Sequence, residues 1–168
     1  MKKLVIVVLL IGIIGGLFVS SSQTYEEQTI VPKLQELLPS QPLEKPLAEL
    51  QIPYWGKIIS VEERGYYYFL EFLLRKSAHF FSFGLLAAVF FWLLPKRRYR
   101  FFLAALLTFI AASADEFHQS LTGGRTATWQ DVVLDMSGAL VFLLVAQLIS
   151  WIRPQQKKPK RKSRKRRN

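Results

Sequence analysis

The sequence predicts an all-α protein, a multi-pass transmembrane bundle of about four helices with both termini on the cytoplasmic side. Three observations predict it. Apolar residues are gathered into long blocks separated by charged stretches. Basic residues lie before the first block, between the second and third, and after the fourth. A cluster of ionisable residues sits at the block ends that alternation places on the opposite side.

Overall composition decides little, because 51% of the 168 residues are hydrophobic and soluble domains reach about 45–50%. The absence of cysteine excludes a disulfide framework, a thiolate metal site and a cysteine-linked lipid anchor. The net charge is +11, but nine basic residues fall within positions 157–167. The strong basicity therefore describes a tail, and the rest of the chain is close to neutral.

Residues 1–19 hold the first predicted span, with Lys2 and Lys3 ahead of an apolar run over 4–19. The run also resembles a signal segment, since Ser20, Ser21 and Ser22 follow it. The pair Gly12 and Gly16 has the G-x-x-x-G spacing that lets a neighbouring helix approach, so a homo-oligomer is an open expectation.

Residues 20–65 form an extracytoplasmic, proline-rich segment that cannot span, carrying Pro32, Pro39, Pro42, Pro46 and Pro53. Short helical turns are expected over 31–38 and 47–50. The second span, over 77–94, continues an interfacial helix that starts near Gly65. Tyr66, Tyr67 and Tyr68 suggest an aromatic belt there. Glu71 and Arg75 have the favourable i,i+4 order.

The third apolar run, 101–114, is short for a span of about 20 residues, so the helix is expected to continue through Asp115, Glu116 and Gln119. The fourth span covers 132–151, with Asp131 and Asp135 in its first turns. Residues 66–152 thus make a three-helix core, and 153–168 a basic cytoplasmic tail. Lys96, Arg97, Arg98 and Arg100 lie between the second and third spans. They agree with Lys2, Lys3 and the tail in placing one side inside.

Charges at membrane depth cost roughly 2.5–3.5 kcal/mol each on the insertion scale, so they pair or line a cavity. The candidate partners are Lys76, His79 and Arg125 against Glu116, Asp131 and Asp135. Asp131, Asp135 and Gly138 share one helical stripe. Asp115 and Gln119 extend a stripe of small residues, Ala104, Thr108 and Ala111 or Ala112. Thr128-x-x-Asp131 has capping-box spacing.

The run Arg75-Lys76-Ser77-Ala78-His79-Phe80, followed by Asp115-Glu116-Phe117-His118-Gln119, Gly124-Arg125 and Asp131-x-x-x-Asp135-x-x-Gly138, resembles the VanZ-like family. That pattern reads K-x-x-H-F, D-E-x-x-Q, R and D-x-x-x-N/D-x-x-G, and it covers the last three spans. His118 lies outside it. The resemblance implies a multi-pass protein of the bacterial cell membrane, in a family named for a protein associated with resistance to the glycopeptide teicoplanin.

Three functions remain open. The first is an outer-face site that binds or handles an anionic cell-envelope component, such as a lipid-linked cell-wall intermediate. Lys76, Asp115, Gln119, Arg125, Asp131 and Asp135 would contact that ligand. The second is a membrane-embedded enzyme using His79 with Glu116 or an aspartate for acid–base chemistry. It has no nucleophile motif. The third is a structural partner in a membrane complex, its charges serving helix register alone.

His79 is equally readable as a hydrogen-bonded interfacial histidine. Arg125 beside Gly123 and Gly124 reads as an anion contact or as a turn paired with Asp131 or Asp135. No metal-ligand spacing is present, and no cofactor is expected. The tail lacks interleaved aromatics, so membrane lipids rather than nucleic acid are its expected partner.

Overall fold

A computed structural model describes residues 2–122 and 128–152. Four helices in it are long and apolar enough to cross a membrane: α1 (Lys2–Ser21), α5 (Tyr66–Leu93), α6 (Arg100–Ser120) and α7 (Trp129–Ile152). Between α1 and α5 lie α2 (Val31–Leu37), α3 (Glu44–Ala48), an antiparallel hairpin of β1 (Ile52–Tyr54) and β2 (Lys57–Ile59), and α4 (Val61–Arg64).

The predicted interfacial helix and second span are one helix. At about 1.5 Å per residue, the 28 residues of α5 reach about 42 Å, well beyond a hydrocarbon core of about 30 Å. It is therefore longer than a perpendicular crossing needs. Helix α6 runs through Asp115, Glu116 and Gln119 as its short apolar run requires.

Helices α5, α6 and α7 pack through small residues. Ala87, Ala104, Ala139 and Ala146 are buried with Phe91 and Leu143. Gly138 marks the tightest approach, because a Cβ there would fall on the Phe80 carbonyl oxygen of α5. The stripe on α6 is Ala104, Thr108, Ala112, Glu116 and Gln119, all buried. Glu116, rather than Asp115, continues it from Ala112. At the far end of the bundle Arg100 is buried, its guanidinium 3.7 Å from the Phe91 ring centre and 2.9 Å from Ser150 Oγ.

Helix α1 rests on the bundle through Leu10, Ile13 and Leu17, which pack beside Phe83, Leu86 and Ala112. Gly12 and Gly16 point elsewhere, with nothing within 4 Å of a Cβ built on either. The expected close approach at this pair is therefore not made among the described residues.

The segment 22–65 folds as a cap over one end of the bundle, strapped to α5. Glu71 is buried and accepts from Ile30 N at 2.7 Å and Arg75 Nη2 at 3.1 Å. Arg75 also donates to Gln28 Oε1 at 2.8 Å. Two of the three expected belt tyrosines are cap anchors instead. Tyr66 donates to the Pro42 carbonyl at 2.7 Å, and Tyr67 to the Leu38 carbonyl at 3.0 Å. Tyr68 is exposed.

The second expected helical turn lies earlier than 47–50, at Glu44–Ala48. The hairpin was not anticipated. Its two-residue turn puts Trp55 and Gly56 at φ +53° and +67°, the handedness a tight hairpin needs. Glycine adopts this without strain, whereas a bulky residue such as Trp55 rarely does. Ser60 caps α4 by accepting from Glu63 N at 3.2 Å.

Candidate functional site

The polar residues of the last three long helices meet beneath the cap. Lys76 of α5 bonds Asp131 of α7, and both meet Tyr54 of the hairpin. Tyr54 donates to Asp131 Oδ1 at 2.5 Å, receives Lys76 Nζ at 2.7 Å and lies 3.1 Å from Thr128 Oγ1. Burial, and next the hydrogen bond to the Asp131 carboxylate, push the Tyr54 phenol well above its ordinary range. It is a neutral donor at physiological pH.

Thr128 caps α7 as its spacing predicts, accepting from Asp131 N at 3.3 Å. The box is not closed by Asp131, however. Thr128 N donates to Glu116 Oε1 of α6 at 2.5 Å, so a carboxylate from another helix completes the cap. Glu116 has no cation within ion-pair distance among the described residues. Its contact among the described residues is this backbone N–H, and Arg125, one of its expected partners, lies outside them.

His79 faces Asp135 rather than Glu116. Its Nδ1 lies 3.5 Å from Asp135 Oδ1, and both atoms are buried with no hydrogen-bond partner among the described residues. Asp115 accepts from Ser21 Oγ of α1 and, at 2.8 Å, from Gln119 Nε2. His118 lies 3.0 Å from Ser22 Oγ and packs on Phe18, so it ties α1 to α6 outside this cluster. Arg125 and the basic tail lie outside the described residues.

A cavity of about 470 Å³ lies between cap and bundle, within the range of about 300–1,000 Å³ typical of small-molecule sites. Of the expected site residues, Lys76, His79, Gln119 and Asp131 line it, and Asp115, Glu116 and Asp135 do not. The cavity also brings in Lys57 and Arg64, two cations that sequence reasoning missed. Both belong to the cap, and only the hairpin and α4 carry them to the site. Arg64 lies over the Phe72 ring at 5.6 Å. Neither has a carboxylate within ion-pair distance among the described residues. No cluster of metal-ligating side chains occurs among the described residues.

Four long apolar helices around a buried set of charges define a multi-pass membrane protein with one polar end. The VanZ/LLP1 family model matches residues 6–150, and the chain belongs to this family. The match takes in α1 and the cap as well as the last three helices. No curated protein and no solved structure matches the chain.

Proposed function

We propose that this protein binds an anionic component of the bacterial cell envelope in the cavity beneath its cap. The carrying observation is that Lys57 and Arg64 line this cavity with no partner carboxylate among the described residues. Lys76 and Arg75 line it too, each held by a carboxylate. An anion entering the cavity would pair with the first two without displacing a salt bridge.

The basic loops favour an orientation with both termini inside, which puts the cap and cavity at the outer headgroup level. A lipid-linked cell-wall intermediate or an anionic phospholipid fits that depth. Through such a ligand the protein would alter glycopeptide access to its target, the link that the family name suggests.

The test uses the full chain in nanodiscs of mixed anionic and zwitterionic phospholipid, with retained lipid measured by mass spectrometry. Anionic lipid should be enriched, and Lys57→Ala with Arg64→Ala should lower the enrichment about tenfold, as expected from losing charge-assisted bonds. Retained lipid of the same composition as the disc would overturn the reading.

A second reading, acid–base chemistry on the bound ligand, is favoured by one observation. His79 lines the cavity with its Nδ1 turned to the buried Asp135. A carboxylate behind an imidazole orients it for proton transfer. Unchanged biological activity of His79→Gln would rule this reading out.

A further inference from the structure

The far wall of the cavity specifies what accompanies the anion. Gln119 is nine-tenths buried, yet it lines the cavity. Its Nε2 donates to Asp115 Oδ2 at 2.8 Å. With the amide nitrogen donating to Asp115, the carbonyl oxygen faces away from it. That oxygen, Oε1, has no hydrogen-bond partner among the described residues and is not among the sealed polar atoms. It is a fixed acceptor presented to the cavity.

His79 stands beside it with the same asymmetry. Its Nδ1 is buried against Asp135, while Nε2 is not sealed and has no partner among the described residues. A lone pair on Nδ1 would face the carboxylate repulsively, so the proton belongs on Nδ1. Nε2 then addresses the cavity, where a hydroxyl can pair with it by donating or by accepting. A ligand that shuts water away from these atoms without replacing its hydrogen bonds is penalised.

From this pairing of Lys57 and Arg64, which have no carboxylate partner among the described residues, with the Gln119 carbonyl and His79, we infer that the ligand is a polyol phosphate: an anionic phosphate ester carrying neutral hydroxyls beside its charge. The inference rests on the anion-binding reading above. An ammonium headgroup also offers donors, but it would meet Lys57, Arg64 and Lys76 in the same cavity. A phosphate without hydroxyls would satisfy the cations and leave Gln119 Oε1 bare. Gln119 is then a specificity-determining residue.

The decisive comparison is phosphatidylglycerol against phosphatidylethanol, two monoanionic phosphodiesters that differ in the headgroup hydroxyls. Binding to the full chain in phosphatidylcholine nanodiscs should favour phosphatidylglycerol about tenfold, the scale of one or two net hydrogen bonds. Gln119→Leu should bring the ratio close to one while phosphatidylethanol binding is retained. Equal binding of both lipids by the unaltered protein overturns the hydroxyl inference and leaves the anion reading standing. Binding of neither above phosphatidylcholine overturns both. Because this contrast uses the unaltered chain, it holds even if Gln119→Leu fails to fold. Glycerol 3-phosphate serves as the soluble competitor. Displacement of phosphatidylglycerol by it supports the same chemistry drawn from solution, and failure to displace supports a lipid source.

Discussion

Gly138 of α7 lies so close to Phe80 of α5 that a single added methyl would meet the Phe80 carbonyl oxygen. The obstacle is helix backbone, which cannot swing aside as a side chain can. This contact sets the spacing of the two helices that carry Lys76, His79, Asp131 and Asp135. Gly138→Ala should therefore destabilise the protein by about 1–3 kcal/mol, the usual cost of overpacking. Gly12→Ala and Gly16→Ala should leave monomer stability unchanged, since nothing lies near either position. Thermal unfolding in detergent, followed by circular dichroism, checks both.

The pair His79 and Asp135 should behave as a unit. Asp135 is 1% exposed, so removing His79 strands a buried carboxylate. His79→Leu is expected to cost about 3–5 kcal/mol, whereas His79→Leu with Asp135→Leu should cost less than the single change. A double-mutant cycle on unfolding free energy measures this. Additive losses would mean the two groups do not interact.

Glu116→Ala should loosen the start of α7. Thr128 N would lose its acceptor in a buried position, at a cost of about 1–3 kcal/mol. Hydrogen exchange should accelerate first in the opening turn of α7, near Thr128 and Asp131. Glu116→Gln keeps an oxygen acceptor and should show a smaller effect.

Tyr54 makes a pH prediction. Its phenol is held above the ordinary tyrosine range in the fold, while the unfolded chain ionises near pH 10. The unfolded state therefore loses this proton first as pH rises. Stabilisation from Tyr54 is fully present below about pH 10 and declines above it. Melting temperature measured across that range should fall less steeply in Tyr54→Phe than in the unaltered protein. Identical slopes would show that Tyr54 does not hold its proton.

The spans were legible because burial in lipid needs long apolar blocks, and the block 101–114 was too short to end where its apolar residues end. The Thr128 cap was legible because it is local. What escaped depends on contacts distant in sequence. Pro53 and the two three-residue strands carry too little alternation to announce a hairpin, and the pairing of Ile52 with Ile59 appears only on folding. Lys57 and Arg64 consequently read as ordinary charges in a polar segment. The partner of Glu116 is a backbone N–H twelve residues away, which no charge pattern reveals. His79 had several carboxylates within plausible reach, and only the packing of α5 on α7 selects Asp135.

Arg100 gives the far end of the bundle a fastener of its own. It joins the end of α5, through the Phe91 ring, to Ser150 of α7. Lys76 and Asp131 join the same two helices beneath the cap. Rods clamped at both ends resist sliding lengthwise past one another, so axial piston travel is a poor gate for this molecule. The cap is held to α5 separately, by polar bonds at Glu71, Tyr66, Tyr67 and Lys76, with Val31, Leu34 and Ile59 buried within it.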